Sequence, residues 1–237
     1  MEKRKQAGRR GLGDQKSAER PIWIAEVQPK IVGRAELKLA EAVKAFSYDF
    51  RGKTVLDIGS STGGFTEFAL RNGAKRVIAV EKGTNQMKAP LRYDERVDLY
   101  EKTDFLAVKG ANKAGNLVVE QGRNEVELVQ RVQVQTVVAD VSFISLRRIL
   151  EHAKILAQAR KILPRGVDYL VMLKPQFEAY PDQLVRGVVK NERMRREIIK
   201  NFEQWLGRNG FVVIKKRDNE TVGKVGGNRE RFYWLKT

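Results

Sequence analysis

The stretch from Thr54 to Thr66, TVLDIGSSTGGFT, constrains the fold of this chain more than any other feature. Val55 and Leu56 form an apolar run that ends in Asp57; Gly59 and the pair Gly63 and Gly64 follow, and then an amphipathic pattern begins. That order reads as a strand, a glycine-rich bend and a helix. Glycine suits such a bend because the backbone turns through conformations that a Cβ disfavours and lies close against whatever it cradles. A second apolar run, Val77 to Val80, closes on Glu81, 22 residues beyond Gly59. A carboxylate at that separation is where nucleotide-binding α/β folds grip ribose hydroxyls. The chain is therefore expected to hold a nucleoside-containing ligand.

The spacing narrows the choice of ligand. Dinucleotide sites carry G-x-G-x-x-G, which seats a pyrophosphate on a helix N-terminus. Here the bend reads G-x-x-x-G-G with Asp57 ahead of it. A carboxylate beside the bend repels a pyrophosphate and suits an ammonium, such as the amino-acid end of S-adenosylmethionine, which is the expected cofactor. A dinucleotide-dependent oxidoreductase is the alternative, and a strand–turn–helix without ligand the bland reading.

Charge points to the partner. The chain of 237 residues carries a net charge of +17. Residues 1–20 hold seven Lys/Arg against three Asp/Glu, so +13 of that charge belongs to the body. A basic body of this kind attracts nucleic-acid phosphates. Nucleic acid is the expected partner; charge alone does not choose RNA over DNA. No run approaches the ~18 apolar residues of a membrane span, and the N-terminus lacks a signal-peptide core, so the expected location is the cytoplasm. Cysteine is absent and His152 is the lone histidine, which argues against disulfides, a histidine triad or a zinc cluster.

Along the chain, residues 1–20 read as a flexible basic arm and 21–237 as one domain. Helices are expected at Arg34–Phe46, with Leu37, Leu39, Ala40, Val43 and Phe46 apolar, and at Gly64–Asn72, Ser145–Ile162 and Asn191–Arg208. Strands are expected at 54–58, 76–80, 97–100, 135–139, 168–173, 211–215 and 232–235. Residues 108–135 look like an insertion: a Gly/Asn/Lys loop, then a possible helix over Leu117–Val132. Alternating strands and helices imply a mostly parallel seven-stranded sheet covered on both faces, a Rossmann-like α/β domain.

Ligands of open α/β sheets sit beyond the carboxyl ends of the strands, and those ends carry Asp57, Glu81, Asp104, Asp140 and Lys174. The strings LDIGSSTGGFT, VEKGTNQ, YDERV with EKT, ADVSFISL, LKPQFEA and GGNRE resemble the hemolysin A (TlyA-type) ribosomal RNA methyltransferases, which belong to the FtsJ-like ribose 2′-O-methyltransferases. The likeness spans residues 34–237. It implies the class I methyltransferase fold, S-adenosylmethionine as cofactor and ribosomal RNA or a ribosomal subunit as partner. It also implies a catalytic tetrad of Lys38, Asp140, Lys174 and Glu230, and cofactor contacts from Asp57, Gly59, Ser60, Ser61, Gly63, Gly64, Phe65, Glu81, Asp104 and Asp140. The chain departs from the family in two places. Gly33-Arg34-Ala35-Glu36 stands where the family has S-R-G-G, and the family's N-terminal S4-like module is expected to be replaced by the basic arm.

A ribose hydroxyl is a weak nucleophile, so such a reaction depends on in-line placement and on handling one proton. Lys174 is expected either to accept that proton or to stay charged and hold the oxygen, with Asp140 and Glu230 orienting it and Lys38 positioning the ribose. Lys190, Arg193, Arg195, Arg196 and Lys200 are expected to track phosphates. Phe143 and Phe177 read as core residues rather than base-stacking platforms, Trp23 as packing on the body, and His152 as an ordinary helix residue. The competing readings are an RNA-binding or ribosome-assembly protein on a methyltransferase scaffold and a membrane-lytic protein; no amphipathic apolar surface supports the second.

Overall fold

The computed structural model describes residues 33–109, 117–121, 124–129, 133–158, 166–219 and 227–237. The basic arm and Trp23 lie outside the described residues. In chain order the elements are α1 (Arg34–Phe46), β1 (Thr54–Ile58), α2 (Gly64–Arg71), β2 (Arg76–Val80), β3 (Val97–Tyr100), β4 (Val108–Lys109), β5 (Leu117–Gln121), β6 (Asn124–Val129), β7 (Thr136–Ala139), α3 (Leu146–Gln158), β8 (Asp168–Leu173), β9 (Leu184–Val185), β10 (Val188–Val189), α4 (Glu192–Arg208), β11 (Val212–Asp218) and β12 (Arg231–Lys236).

Seven strands form one sheet in the order β11-β12-β8-β7-β1-β2-β3. β12 runs antiparallel to both its neighbours, and the pairings from β8 to β3 are all parallel. From β1 the chain moves outward through β2 to β3, then returns to β7 on the other flank of β1. The carboxyl ends of β1 and β7 therefore flank the topological switch, where α/β sheets place their ligands.

Strand pleating explains the two layers of helices. Val55 faces one side and Leu56 the other, and this alternation continues through the central strands. One core joins Val55, Val77, Ala79, Val138 and Leu170 to α1 and α2. The opposite core joins Leu56, Ile58, Ile78, Val137 and Tyr169 to α3 and α4. Helix α1 buries Leu39, Ala42, Val43 and Phe46, a stripe at helical spacing. Leu37 falls off that stripe and is 38% exposed. Helix α4 begins where the Asn191 side chain accepts a hydrogen bond from the Met194 N–H at 2.9 Å, an N-cap that satisfies one orphan donor.

Two expectations change. The helix expected over Leu117–Val132 is not formed; β5 and β6 pair as an antiparallel hairpin, and β4 adds a third strand beside β5, in a sheet separate from the main one. In the sequence, Val118 and Val119 are β-branched, and Glu125, Val126, Glu127 and Leu128 alternate polar with apolar, a period of two rather than 3.6. The loop expected over Lys109–Asn116 begins on a residue of β4, and 110–116 lie outside the described residues. The second change is the short hairpin of β9 and β10, which follows Pro181 and was too brief to leave a periodic signal. Among the described residues no helix is long and apolar enough to cross a membrane.

Candidate active site

Asp57 is the acidic residue of a fully buried strand and is itself 1% exposed. One carboxylate oxygen accepts a hydrogen bond from the Thr66 hydroxyl at 2.6 Å. The other, Oδ1, is buried without a partner. Burial pushes the Asp57 carboxyl up to about 7, against the Thr66 hydrogen bond and with help from the Asp140 carboxylate. A buried acceptor with a free oxygen, in a cluster of negative side chains, fits a cationic ligand group and opposes a pyrophosphate. Ser60 offers a second buried, unpartnered oxygen at the same bend.

The bend departs from its expected use of glycine. Gly59 and Gly63 have φ of 77° and 94°, conformations that favour glycine. However, a Cβ on Gly63 would stand 2.4 Å from Leu91 Cδ2, and one on Gly64 would stand 3.0 Å from the Ala35 Cβ. The missing side chains at these two positions admit the chain's own neighbours. Gly64 lets α1 dock on α2, and the buried Glu36, ion-paired to Arg71 at 2.9 Å, fixes the same junction. The departure at residues 33–36 is thus folded into the body. The Phe65 ring is also core, 3% exposed and tilted against Phe232, so only its main chain can meet a cofactor.

Glu81 ends β2, where its oxygens accept from the Ser61 N–H at 2.8 Å and the Gly83 N–H at 2.6 Å. Gln86, which sequence reasoning passed over, bridges the two elements: its Oε1 accepts from the Ser61 hydroxyl at 2.9 Å and its amide donates to Glu81 at 3.3 Å. Asp104 accepts from the Leu106 N–H at 3.0 Å and pairs with Lys82 at 2.9 Å.

The four tetrad residues form two ion pairs. Lys174 Nζ lies 2.7 Å from Asp140 Oδ1 and 2.7 Å from the Ser142 hydroxyl. Lys38 Nζ lies 2.7 Å from Glu230 Oε2. Register brings the pairs to one edge. Arg231 pairs with Leu173 across β12 and β8, so the next residues outward, Glu230 and Lys174, leave the sheet side by side. Ile58 pairs with Ala139, so Gly59 and Asp140 leave together. Ser142, Thr66 and Gln86 are the partners that sequence reasoning missed; each lies within a singled-out string but gave no signal of its own.

Two further expectations are corrected. Phe143 is not core: it is 92% exposed, with φ of 64°, and its ring lies 5.5 Å from that of Phe177, which is half-buried. The left-handed turn after β7 swings it outward while its neighbour Ile144 packs on the core. Arg195 cannot track phosphates, because it is 5% exposed and fully engaged inside the domain. Lys190, Arg193, Arg196 and Lys200 are exposed as expected. Glu178 of the LKPQFEA string serves the fold. It accepts from the Leu146 N–H at 2.6 Å and the Ser145 hydroxyl at 2.8 Å, which caps α3. His152, as expected, is a helix residue, with its ring nitrogen 2.8 Å from the Val108 carbonyl. No group of three or more metal-ligating side chains occurs among the described residues.

Residues 31–236 match the model of the FtsJ-like methyltransferases. The 23S rRNA (cytidine-2′-O)-methyltransferase TlyA of Campylobacter jejuni is 30% identical over 207 residues, 86% of this chain and 71% of that protein. The 16S/23S rRNA (cytidine-2′-O)-methyltransferase TlyA of Mycobacterium tuberculosis is 33% identical over 87% of this chain and 68% of its own length. Bacillus subtilis YqxC is 34% identical over 84% of this chain, which spans 64% of that relative, just under two thirds. Among solved structures, a Streptococcus thermophilus protein described as a hemolysin superposes with a TM-score of 0.73 at 31% identity, over 89% of this chain and 68% of that one. With its fold, its edge of paired charges and its sequence in agreement, the chain belongs to the FtsJ-like methyltransferase family.

Proposed function

We propose that this protein transfers a methyl group from S-adenosylmethionine to a ribose 2′-oxygen of structured RNA, with ribosomal RNA as substrate and the cytoplasm as its place of action. The observation that carries the reading is the pairing of Lys174 with Asp140 and of Lys38 with Glu230 on one sheet edge, beside the partnerless oxygen of Asp57. The names of the relatives at 30% and 33% identity support the RNA substrate, and so does the net charge of +17.

S-adenosylmethionine supplies an electrophilic methyl on a cationic sulfur. Asp57 Oδ1 holds the ammonium of its amino-acid end, and the buried Ser60 hydroxyl adds a hydrogen bond at the same bend. Glu81 would meet the ribose hydroxyls, with Gln86 ordering that carboxylate. Lys174, tied to Asp140 and Ser142, fixes the attacking 2′-oxygen; it takes that oxygen's proton only from the neutral form, reached by first giving up its own proton to solvent. Lys38, tied to Glu230, holds the target sugar. The exposed Phe143 ring offers a stacking face to a base turned out of its helix. Lys190, Arg193, Arg196 and Lys200 line an exposed basic face for the phosphates.

The test is methyl transfer from labelled cofactor into ribosomal subunits, followed by nucleoside analysis. A 2′-O-methylated nucleoside that is absent with Lys174→Ala supports the reading. A label on a base, or a scaffold that binds RNA and transfers nothing, refutes it. A pH–rate profile of single-turnover transfer then separates proton acceptance by Lys174 from simple anchoring; a rate that does not rise with pH as Lys174 loses its proton removes the base role.

A further inference from the structure

Glu230 stands just before β12, where a carboxylate on a long flexible stem would sample many rotamers. Its surroundings prevent this. Arg195, on the inner face of α4, is 5% exposed. Its Nε donates to the Arg229 carbonyl at 3.1 Å, immediately ahead of Glu230 in the chain. Its two terminal nitrogens donate to Glu192 at 3.1 Å and to Asp218 Oδ1 at 2.7 Å. The same Asp218 oxygen accepts from Arg231 Nε at 2.6 Å, immediately beyond Glu230. Asn219, 4% exposed, closes the ring: its N–H donates to the Glu230 carbonyl at 2.9 Å and its amide to Glu230 Oε2 at 3.4 Å. That Oε2 is the oxygen that meets Lys38.

The backbone on both sides of Glu230 and its carboxylate are therefore held by one polar network centred on the buried Arg195 and Asn219. Burying a guanidinium costs several kcal/mol unless every donor is well paired. Helix α4 bears this cost at one position, while its other basic residues at 193, 196, 200 and 208 stay at the surface. Burial raises the Asp218 carboxyl, but hydrogen bonds from Arg231 and Arg195 hold it down to about 2, so the anchor stays charged over the working range of pH.

We propose that Arg195 and Asn219 are positioning residues that set the Glu230 carboxylate against Lys38. The proposal rests on the reading of Glu230 as part of the methyl-transfer site. Misplacement of such a group by about 1 Å costs up to about a hundredfold in rate. Arg195→Lys keeps the charge but not the fork, and Asn219→Ala keeps the backbone but not the amide.

Two measurements test this. In single-turnover methyl transfer with the full chain and ribosomal subunits, each variant is expected to lower the rate about tenfold, with RNA affinity unchanged. In a Glu230→Gln background the same substitutions are expected to add little further loss, because the group they position has been altered. A purely structural role would instead give equal losses in both backgrounds, and that result overturns the proposal. The second measurement does not depend on activity. Crystal structures of the wild type and Arg195→Lys should show the Lys38–Glu230 contact kept in the first and broken in the second; a contact retained in both also overturns it. An inactive wild type would sink the reading of the site, and the crystallographic comparison would then decide the clamp by itself.

Discussion

Replacing Asp57 by asparagine should stabilise the free protein while weakening its hold on the cofactor. In the folded chain, burial lifts this carboxyl from 3.8 to about 7. Each unit is worth about 1.4 kcal/mol, so ionising Asp57 without a cationic partner costs the fold about 4 kcal/mol. The sign follows from the raised value. The penalty is absent below about pH 4, where the side chain is protonated in both states, and grows as pH rises. It is complete above about pH 7, where the folded side chain has also ionised. Asp57→Asn should therefore gain on the wild type as pH rises from 4 to 8. For a chain of this size, ~1 kcal/mol moves the melting temperature by about 2–4 °C, so the difference at alkaline pH should approach 10 °C. Thermal unfolding without cofactor at pH 5 and pH 8.5 measures it. Titration with S-adenosylmethionine should show wild-type affinity tightening as pH rises through 7, and a weaker, flatter response in the variant. An Asp57→Asn protein no more stable than wild type at pH 8.5, or equally changed at both pH values, would refute the argument from the partnerless oxygen.

Four further outcomes follow from the geometry. Phe143→Ala should leave the melting temperature unchanged, because the ring is 92% exposed, and should weaken productive RNA binding by about 1–3 kcal/mol if a base stacks there; equal affinities in a binding titration would remove the stacking role. Replacing Lys190, Arg193, Arg196 and Lys200 together should make the dependence of log affinity on log salt shallower by about 3, at roughly 0.7–0.9 per phosphate contact, and an unchanged slope would mean RNA docks elsewhere. Glu178→Gln should cost about 1–3 kcal/mol in denaturant unfolding, because the cap on α3 loses its charge, and a neutral result would contradict the capping role. Gly63→Ala should destabilise the fold before it affects binding, since φ is 94° there and a Cβ would stand 2.4 Å from Leu91 Cδ2; a variant of wild-type stability would contradict the strain at this bend.

The sheet and its switch point were legible because buried parallel strands print near-continuous apolar runs, and their boundaries at 54–58, 76–80, 97–100 and 168–173 hold as read. The polar residues at those strand ends were legible for the same reason: Asp57 and Lys174 interrupt runs that are otherwise apolar. What failed lies where local pattern and tertiary placement diverge. Phe143 read as core, as an aromatic residue usually is, yet one left-handed turn reverses its direction. Arg195 read as a surface cation because α4 is basic throughout, and only the helix's orientation shows that this position faces Asp218. Gly63 was recognised as necessary for a bend that takes φ to 94° there, but the crowding of Gly63 by Leu91 and of Gly64 by Ala35 comes from elsewhere in the chain and left no local signal. The β5–β6 hairpin was read as a possible helix because the alternation at Glu125–Leu128 covers only four residues of the span from Leu117 to Val132, too short a stretch of period two to stand out.

The most direct measurement is nucleoside analysis of ribosomal RNA after incubation with this protein and S-adenosylmethionine carrying an isotopic methyl group. Wild-type protein should leave the label on a ribose 2′-oxygen, and both Lys174→Ala and Glu230→Gln should lower single-turnover transfer sharply while cofactor binding persists. Label found on a nucleobase, or transfer by Lys174→Ala at the wild-type rate, would contradict the account.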